Sequence, residues 1–198
     1  MDIIIGSKNR GKIDEIKSIL NLPSVKWHTF QEFPDWPHLT ESADSYRENA
    51  INKARMLTQL YSMAALADDS GLEVDALEGE PGPLSARFSG PDATDEENIA
   101  KLLSKLAGIL QEERSARFRC WIALTDASEA SVCTEGVCEG RIAERPRGSS
   151  GFGYDPVFIP EGFDRTFAEI LPEEKNSISH RGIALRKMRQ EILERYRL

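Results

Sequence analysis

Apolar residues in the first half of the chain recur at two different spacings. Ile13, Ile16 and Leu20 lie three or four positions apart, which is the spacing of one face of a helix. Short runs rich in β-branched residues, such as Ile3–Ile5, are typical of strands instead. The pattern predicts strands at 2–5, about 25–30 and about 63–67, and helices at about 11–20, about 44–61 and about 95–107.

A period of two replaces the helical spacing in the second half of the chain. Residues 117–125 alternate between polar and apolar side chains, and residues 130–144 predict another long strand. Gly136 and Gly140 in this second strand are typical of bulges or bends. Asp126–Ser128 between the two strands indicates a hairpin.

The order of these elements predicts the fold class. Early βα units are followed by an antiparallel ribbon and by a final helix with Leu185, Met188 and Ile192 on one face. This order indicates an α/β fold in which helices flank a mixed sheet. The length of 198 residues suits one domain, 1–198, which can carry two lobes around one cleft.

Composition narrows the classes of partner. The net charge is −8, from 25 Lys and Arg against 33 Asp and Glu, which argues against broad nucleic-acid binding but permits a small anionic ligand. No apolar run approaches the length of about 20 residues that a membrane span needs, and residues 1–6 do not resemble a signal peptide. We therefore expect a cytoplasmic protein whose three cysteines are reduced.

A candidate phosphate-binding loop lies between the first strand and the first helix. Gly6, Gly11 and Lys12 have the spacing of a P-loop, and backbone N–H groups at a helix start bind phosphate. Ile13 stands where a P-loop has the Ser or Thr that binds Mg²⁺. The segment is therefore a phosphate loop without that hydroxyl, or a polar turn.

Two acids follow the predicted strand at 63–67. Asp68 and Asp69 are expected at its carboxyl end, where α/β sheets bind ligands, with one side chain facing the ligand and the other holding the turn. Carboxylates are the ligands that Mg²⁺ takes beside substrate phosphates. Glu41 can supply a second carboxylate and Lys53 can reach a phosphate. A solvated turn and solvated helix residues are the structural alternatives.

Two later segments concentrate glycine, aromatic and charged residues. In the loop 147–156, Phe152 can stack on a base and Asp155 can accept hydrogen bonds from base N–H groups. Residues 175–182 are predicted to open the last helix and to place Lys175, His180 and Arg181 at its N-terminus. A rigid loop that packs its own aromatic rings, and a helix capped by Ser179, are the alternatives.

Six segments, taken in order, resemble the inosine triphosphate pyrophosphatases of the Ham1/RdgB type, which remove non-standard purine nucleoside triphosphates. The residues that carry the resemblance are Ser7–Lys12 followed by Glu15, Glu48–Ala50 with Lys53–Ala54, Ala67–Leu72, Ser85–Gly90, Phe152–Pro156 and Ser179–Gly182. Two positions depart from the family pattern, since Ala43 replaces a glycine and Leu84 replaces a tyrosine.

The resemblance implies an elongated α/β fold with a central mixed sheet, two lobes with a cleft between them, and a homodimer. It also implies Mg²⁺-dependent hydrolysis between the α- and β-phosphates, which gives a nucleoside monophosphate and pyrophosphate. Carried onto this chain, the resemblance implies that Glu41 and Asp69 bind Mg²⁺, that Asp69 is the base and that Ser70 contacts the substrate. The residues implied in triphosphate binding are Ser7, Lys8, Asn9, Arg10, Gly11, Lys12, Lys53 and Lys175. Those implied in nucleobase binding are Phe152, Gly153, Tyr154, Asp155, His180 and Arg181.

Two other functions are consistent with parts of the pattern. A P-loop-like kinase or ATPase would use Lys12 on the phosphates and Asp69 on the metal, but Ile13 and the long antiparallel ribbon argue against it. A non-catalytic nucleotide-binding module would bind nucleotide without turnover. Pyrophosphate as the product distinguishes the pyrophosphatase from both.

Overall fold

A computed structural model of the protein describes residues 1–39, 45–128 and 130–198. The strands in these ranges are β1 Asp2–Ile5, β2 Lys26–His28, β3 Ala64–Val74, β4 Pro81–Gly82, β5 Ser115–Thr125, β6 Ser131–Ile142 and β7 Phe158–Pro160. The α-helices are α1 Arg10–Leu20, α2 Tyr46–Tyr61, α3 Asp95–Lys105, α4 Pro172–Ile178 and α5 His180–Tyr196. Across the described ranges, no helix combines the length and the apolar character that crossing a membrane requires.

The strands form one mixed sheet in the order β2-β1-β3-β5-β6-β7, with β4 paired to β3. β1 runs parallel to β2 and to β3, whereas β4 is antiparallel to β3 and β7 is antiparallel to β6. The parallel pairs are those joined through helices, because a parallel connection needs a crossover. The predicted α/β fold with a mixed sheet and flanking helices is confirmed.

The chain divides into two compact units. The first contains Met1–Asp69, Cys120–Gly136 and Arg181–Leu198, and the second contains Ser70–Arg119 and Val137–His180. The prediction of two lobes around a cleft stays a prediction.

The core of the first unit is built by the apolar stripes that the sequence predicted. Ile16 of α1 and Leu185 and Met188 of α5 are fully buried and pack with β1 and β5. Gly6 directly after β1 has no room for a side chain, because an added Cβ would lie 2.9 Å from the Cβ of Ala67. The phosphate-loop candidate therefore starts where the backbone passes close to β3.

The core of the second unit is aromatic. Phe118, Phe158 and Phe167 pack together beside the apolar face of α3. α3 begins with a capping box, in which Thr94 and Glu97 each accept a hydrogen bond from the other's backbone N–H. This core supports the loop that leads to β7.

β3 is longer than the sequence predicted, and the two acids are not at its end. The strand was expected to end at residue 67 but continues to Val74, so that Asp68 and Asp69 lie in its middle. The expectation of acids at a carboxyl strand end was therefore wrong. Both acids are buried in ion pairs, which allows charged residues to continue a strand inside the protein.

One further local prediction differs from the structure, and one glycine of β6 gains a physical explanation. Lys175 does not open the last helix, because it lies in the separate helix α4 and α5 begins at His180. β6 runs on through Gly140, where a Cβ would lie 2.3 Å from the carbonyl oxygen of Ile159. The glycine at this position is thus explained by the close approach of β7.

Candidate functional site

The first unit contains two adjacent acids with separate partners. Asp68 and Asp69 are 2% and 3% exposed on β3, and successive side chains of a strand point to opposite faces. The prediction that the two carboxylates point apart is consistent with their contacts, because the two are bound by residues of different helices.

Asp69 is held by α2. Its Oδ1 lies 2.9 Å from the ammonium group of Lys53, and its Oδ2 accepts a hydrogen bond of 3.1 Å from the side-chain amide of Asn49. Asn49 and Lys53 are one helical turn apart, so both reach the same carboxylate. Lys53 is itself buried, which makes this contact a charge-assisted hydrogen bond away from water. These two contacts fix the direction of the Asp69 carboxylate.

Asp68 is held by α1 and α5. Its Oδ2 lies 2.9 Å from the ammonium group of Lys12 and accepts a hydrogen bond of 3.2 Å from Nη2 of Arg181. Arg181 also donates through Nη1 to Glu15 at 2.5 Å. Burial by itself would raise the pKa of Asp68, but the charges of Lys12 and Arg181 outweigh it and hold this pKa well below its usual range.

Arg181 thus lies with Asp68 and Glu15, whereas the family resemblance implies a role at the nucleobase. The guanidinium is buried, and the two carboxylates raise its pKa although burial opposes this. The nucleobase role of Arg181 stays a prediction. The contact with Asp68 was missed by sequence reasoning, because the two residues are 113 positions apart.

The loop before α1 is organised by its own side chains. Ser7 Oγ accepts a hydrogen bond of 3.1 Å from the backbone N–H of Asn9, and Asn9 Oδ1 caps the helix by accepting one of 3.1 Å from the N–H of Lys12. Lys8 on this loop and Arg10, the first residue of α1, are exposed. The predicted strand–loop–helix setting is confirmed, and the loop presents cationic side chains beside a helix N-terminus.

Ile13 settles what kind of phosphate loop this segment can be. Its side chain is buried in the core with Ile16 and Leu20, in the position where a P-loop needs a hydroxyl. The P-loop kinase or ATPase therefore lacks support from this segment.

The second unit holds the loop predicted to bind a base. Asp155 is buried, and its Oδ2 lies 2.6 Å from the ammonium group of Lys175 and accepts a hydrogen bond of 3.0 Å from the N–H of Phe152. The same ammonium lies 4.8 Å from the centre of the Phe152 ring, within the range of a cation–π contact. Gly151 is required here, because a Cβ would lie 2.0 Å from Asp155 Oδ2. Lys175 thus lies with the predicted base-binding residues, and its implied role at the triphosphate stays a prediction.

Tyr154 and Gly153 anchor this loop to the rest of the second unit. The hydroxyl of Tyr154 donates to the carbonyl oxygen of Ser85 at 2.9 Å, and the N–H of Gly153 donates to Asp95 at 2.6 Å. Burial raises the pKa of Tyr154, so its hydroxyl stays protonated and available as a donor. These contacts show how the loop is supported, and the substrate roles of Gly153 and Tyr154 stay predictions.

His180, the first residue of α5, is buried against an aromatic ring. Its imidazole lies parallel to the ring of Phe118, with centroids 4.6 Å apart and an angle of 11° between the planes. Phe118 is an apolar residue of the alternating stretch 117–125, and no sequence signal linked it to His180.

The remaining predicted residues differ in how far the structure describes them. Ser70 follows Asp69 on β3 and is half-buried. Glu41, the predicted second Mg²⁺ ligand, and Ala43 lie outside the described residues. Within residues 1–39, 45–128 and 130–198, no three His, Cys, Asp or Glu side chains are grouped as metal ligands. The proposed pairing of Glu41 with Asp69 is therefore untested.

These features define an α/β protein in which one strand carries two buried acids, Asp68 paired with Lys12 and Arg181 and Asp69 paired with Lys53. The chain belongs to the Ham1 family, because the sequence profile of that family matches residues 3–191. The resemblance seen in the six motifs is thereby confirmed.

Relatives and solved structures match nearly the whole chain. The dITP/XTP pyrophosphatases of Geobacillus kaustophilus and Bacillus subtilis are each 44% identical, covering 96% and 98% of this chain and 93% and 97% of their own. A HAM1 protein from Coxiella burnetii has a TM-score of 0.88 at 42% identity, covering 98% of this chain and 99% of its own. A nucleoside-triphosphatase described as a dITP/XTP pyrophosphatase from Mycobacterium abscessus has a TM-score of 0.77 at 42% identity, with 95% and 98% covered.

Proposed function

We propose that this protein hydrolyses non-standard purine nucleoside triphosphates, namely ITP, dITP and XTP, to the nucleoside monophosphate and pyrophosphate. The relatives that are 44% identical over almost their whole length are named for dITP and XTP. The structural observation that carries the proposal is the buried Asp69 carboxylate, directed by Lys53 and Asn49 from one helix. A directed carboxylate is what an attacking water needs in hydrolysis of a phosphoanhydride.

The triphosphate is bound by the loop before α1 and by lysines near the acids. Lys8 on that loop and Arg10 at the start of α1 are exposed cations, and Lys12 and Lys53 add two ammonium groups at Asp68 and Asp69. Cationic groups stabilise the charge that spreads over phosphate oxygens in the transition state. The protein thus supplies positive charge and orientation rather than a covalent nucleophile.

Mg²⁺ is the proposed cofactor, with Asp69 and Glu41 as its protein ligands. Asp69 is a buried carboxylate, and carboxylate oxygens are the protein ligands that a hard cation such as Mg²⁺ takes, so the donor chemistry of Asp69 fits this ion. When bound, Mg²⁺ would neutralise phosphate charge and lower the pKa of a bound water. Asp69 orients the attacking water and accepts its proton.

The nucleobase is bound by residues of the second unit. Phe152 offers a ring for stacking and lies with Asp155 and Lys175, which offer an acceptor and a donor. The buried imidazole of His180 offers ring nitrogens for a further hydrogen bond to the base. Hypoxanthine and xanthine carry an acceptor at O6 and a donor at N1, and adenine carries the reverse. A buried donor aimed at O6 therefore rejects adenine, because its amino group would be left unpaired.

We also propose a homodimer that acts on the nucleotide pool of the cytoplasm. Both statements rest on the family resemblance. Light scattering after size-exclusion chromatography should give twice the chain mass of 22.2 kDa. A monomer at micromolar concentration would contradict the homodimer.

A panel of nucleoside triphosphates assayed with Mg²⁺ tests the activity directly. We expect dITP, XTP and ITP to yield pyrophosphate and monophosphate in equal amounts, and dATP to react far more slowly. Orthophosphate or a phosphorylated acceptor as the product would indicate the kinase or ATPase instead. Tight nucleotide binding without turnover would indicate a binding module.

A further inference from the structure

We infer that Phe118 is a positioning residue for the nucleobase, because it fixes the plane of the His180 imidazole. The two rings lie 4.6 Å apart at an angle of 11°, which is a close parallel stack. Phe118 lies on β5 and His180 begins α5, so the contact joins two elements that are far apart in sequence. This inference rests on the proposed role of His180 at the base.

Phe118 has a fixed orientation of its own. Its ring centre lies 4.7 Å from that of Phe158 at an angle of 59°, and 6.1 Å from that of Phe167 at 18°. Phe158 and Phe167 are almost fully buried, and they also contact each other at 5.0 Å. Phe118 is therefore held by a strand backbone and by two packed rings, so it can act as a rigid support.

A rigid support matters to histidine more than to most donors. Both ring nitrogens direct their hydrogen bonds within the ring plane. The torsion that turns this plane, χ2, has broad preferences and is not set by the backbone. Stacking on Phe118 restricts that torsion, so the ring of His180 points its nitrogens in one plane before a ligand arrives.

The chemical consequence is discrimination at the 6-position of a purine. A donor held in one direction forms a hydrogen bond to the O6 acceptor of a hypoxanthine and leaves the 6-amino group of an adenine unpaired. A ring free to rotate would lose part of this discrimination. The effect belongs to binding of the base, so it should change affinity ratios and KM more than kcat.

The test compares Phe118→Leu with Phe118→Tyr. Leucine keeps an apolar side chain but removes the ring face, whereas tyrosine retains the face. We measure dissociation constants for dITP and dATP by calorimetry in EDTA, so that no turnover is needed. We expect the dATP-to-dITP ratio of dissociation constants to fall about tenfold in Phe118→Leu and to stay near the original value in Phe118→Tyr.

A second readout reports the ring itself. In the unmodified protein, the Phe118 face should shift the His180 ring protons upfield in NMR spectra, and Phe118→Leu should abolish this shift. Leu102→Ala is the control for lost core packing, because Leu102 is a buried α3 residue of the same unit. It should lower stability while preserving both the affinity ratio and the His180 shifts.

The outcomes separate this inference from the proposed activity. An unchanged affinity ratio in folded Phe118→Leu, or equal dITP and dATP affinity in the unmodified protein, overturns the positioning role. Absence of pyrophosphate release with Mg²⁺ overturns the proposed hydrolysis, but a lowered affinity ratio in Phe118→Leu would still support the role of Phe118.

Discussion

Asp69 is a residue whose direction is fixed from two sides, by Lys53 at Oδ1 and by Asn49 at Oδ2. Asp69→Asn keeps the size of the side chain but removes the charge and the proton acceptor. We expect pyrophosphate release to fall about 10²- to 10⁴-fold, the usual contribution of a general base. Circular dichroism should show a retained fold.

The matched control for Asp69→Asn is Asp126→Asn. Asp126 is an acid of the same unit, and its partners are Arg195 and Tyr196 rather than residues of the candidate site. Asp126→Asn should release pyrophosphate at the original rate. Hydrolysis near the original rate in Asp69→Asn would refute the role of Asp69 as the base.

Lys12 is expected to bind the triphosphate, although in this structure its ammonium group lies against Asp68. Lys12→Ala removes a charged donor, and a hydrogen bond from a charged group contributes about 1.5–3 kcal/mol to the free energy of binding. We expect KM for dITP to rise roughly ten- to hundredfold by steady-state kinetics. Lys17→Ala, on the exposed side of the same helix, should leave KM unchanged. Identical kinetics in the two variants would remove the phosphate-loop role.

The pKa of Asp68 makes a prediction about stability and pH. Because Lys12 and Arg181 hold this pKa below its usual range, the carboxylate stabilises the fold above its unfolded pKa near 4. That contribution is lost as the pH falls through the lower folded value. We expect Asp68→Asn to cost about 3–5 kcal/mol at pH 7 in urea unfolding, since it leaves buried Arg181 short of a partner.

The cost of Asp68→Asn should shrink as the pH is lowered below 4, because the unfolded state of the original protein then binds a proton at Asp68 that the folded state does not bind until a lower pH. Glu97→Gln is a control, as this exposed carboxylate caps α3 without a buried ion pair. A pH-independent cost of Asp68→Asn would contradict the assigned pKa direction.

The sequence predicted which acids and cations to examine, but it predicted few of their partners. Strand alternation was enough to predict that Asp68 and Asp69 point apart. The contact of Asp68 with Arg181 needs the tertiary fold, since 113 positions separate them. The stack of His180 on Phe118 was equally invisible, because a buried phenylalanine at strand spacing fits an ordinary core.

At the level of elements, the spacing of apolar residues was a reliable guide where one face of an element meets a core. α1 and α5 follow their predicted stripes, α3 forms within its predicted range, and β5 and β6 form the strands predicted at 117–125 and 130–144. The prediction was wrong for β3, where paired charges are buried inside the strand. It was also wrong for α4, because a helix of seven residues gives too short a stripe to separate from α5.

The apolar stripe of α5 can be tested by truncating one of its side chains to alanine. Leu185 is fully buried among residues of the first core, and Leu185→Ala should lower the free energy of unfolding by about 2–5 kcal/mol. Glu191→Ala on the exposed face of the same helix should change it by less than about 0.5 kcal/mol. Equal effects of the two variants in urea unfolding would show that α5 does not pack by this face.

For the whole molecule, the net charge of −8 is a poor guide to the ligand. The acidic total argues against a broad basic surface, yet Lys12, Lys53 and Arg181 lie against Asp68 and Asp69, and this local pairing of charges is not visible in the total. A polyanionic ligand with a divalent cation suits such a site, because each supplies the charge that the other needs.

Binding of Mg²⁺ by Asp69 should therefore stabilise the whole fold. A ligand at 100 times its Kd adds about 2.7 kcal/mol, which for a chain of this size raises Tm by about 5–10 °C. We expect MgCl₂ to produce this rise in the original protein, EDTA to reverse it, and NaCl of equal ionic strength to leave Tm unchanged. The rise should be lost in Asp69→Asn, reduced in Glu41→Gln and retained in Asp126→Asn, because Asp126 is committed to Arg195. If Mg²⁺ raised Tm equally in Asp69→Asn and the original protein, Asp69 would not be its ligand, and charge neutralisation of the triphosphate would fall to the lysines and arginines alone.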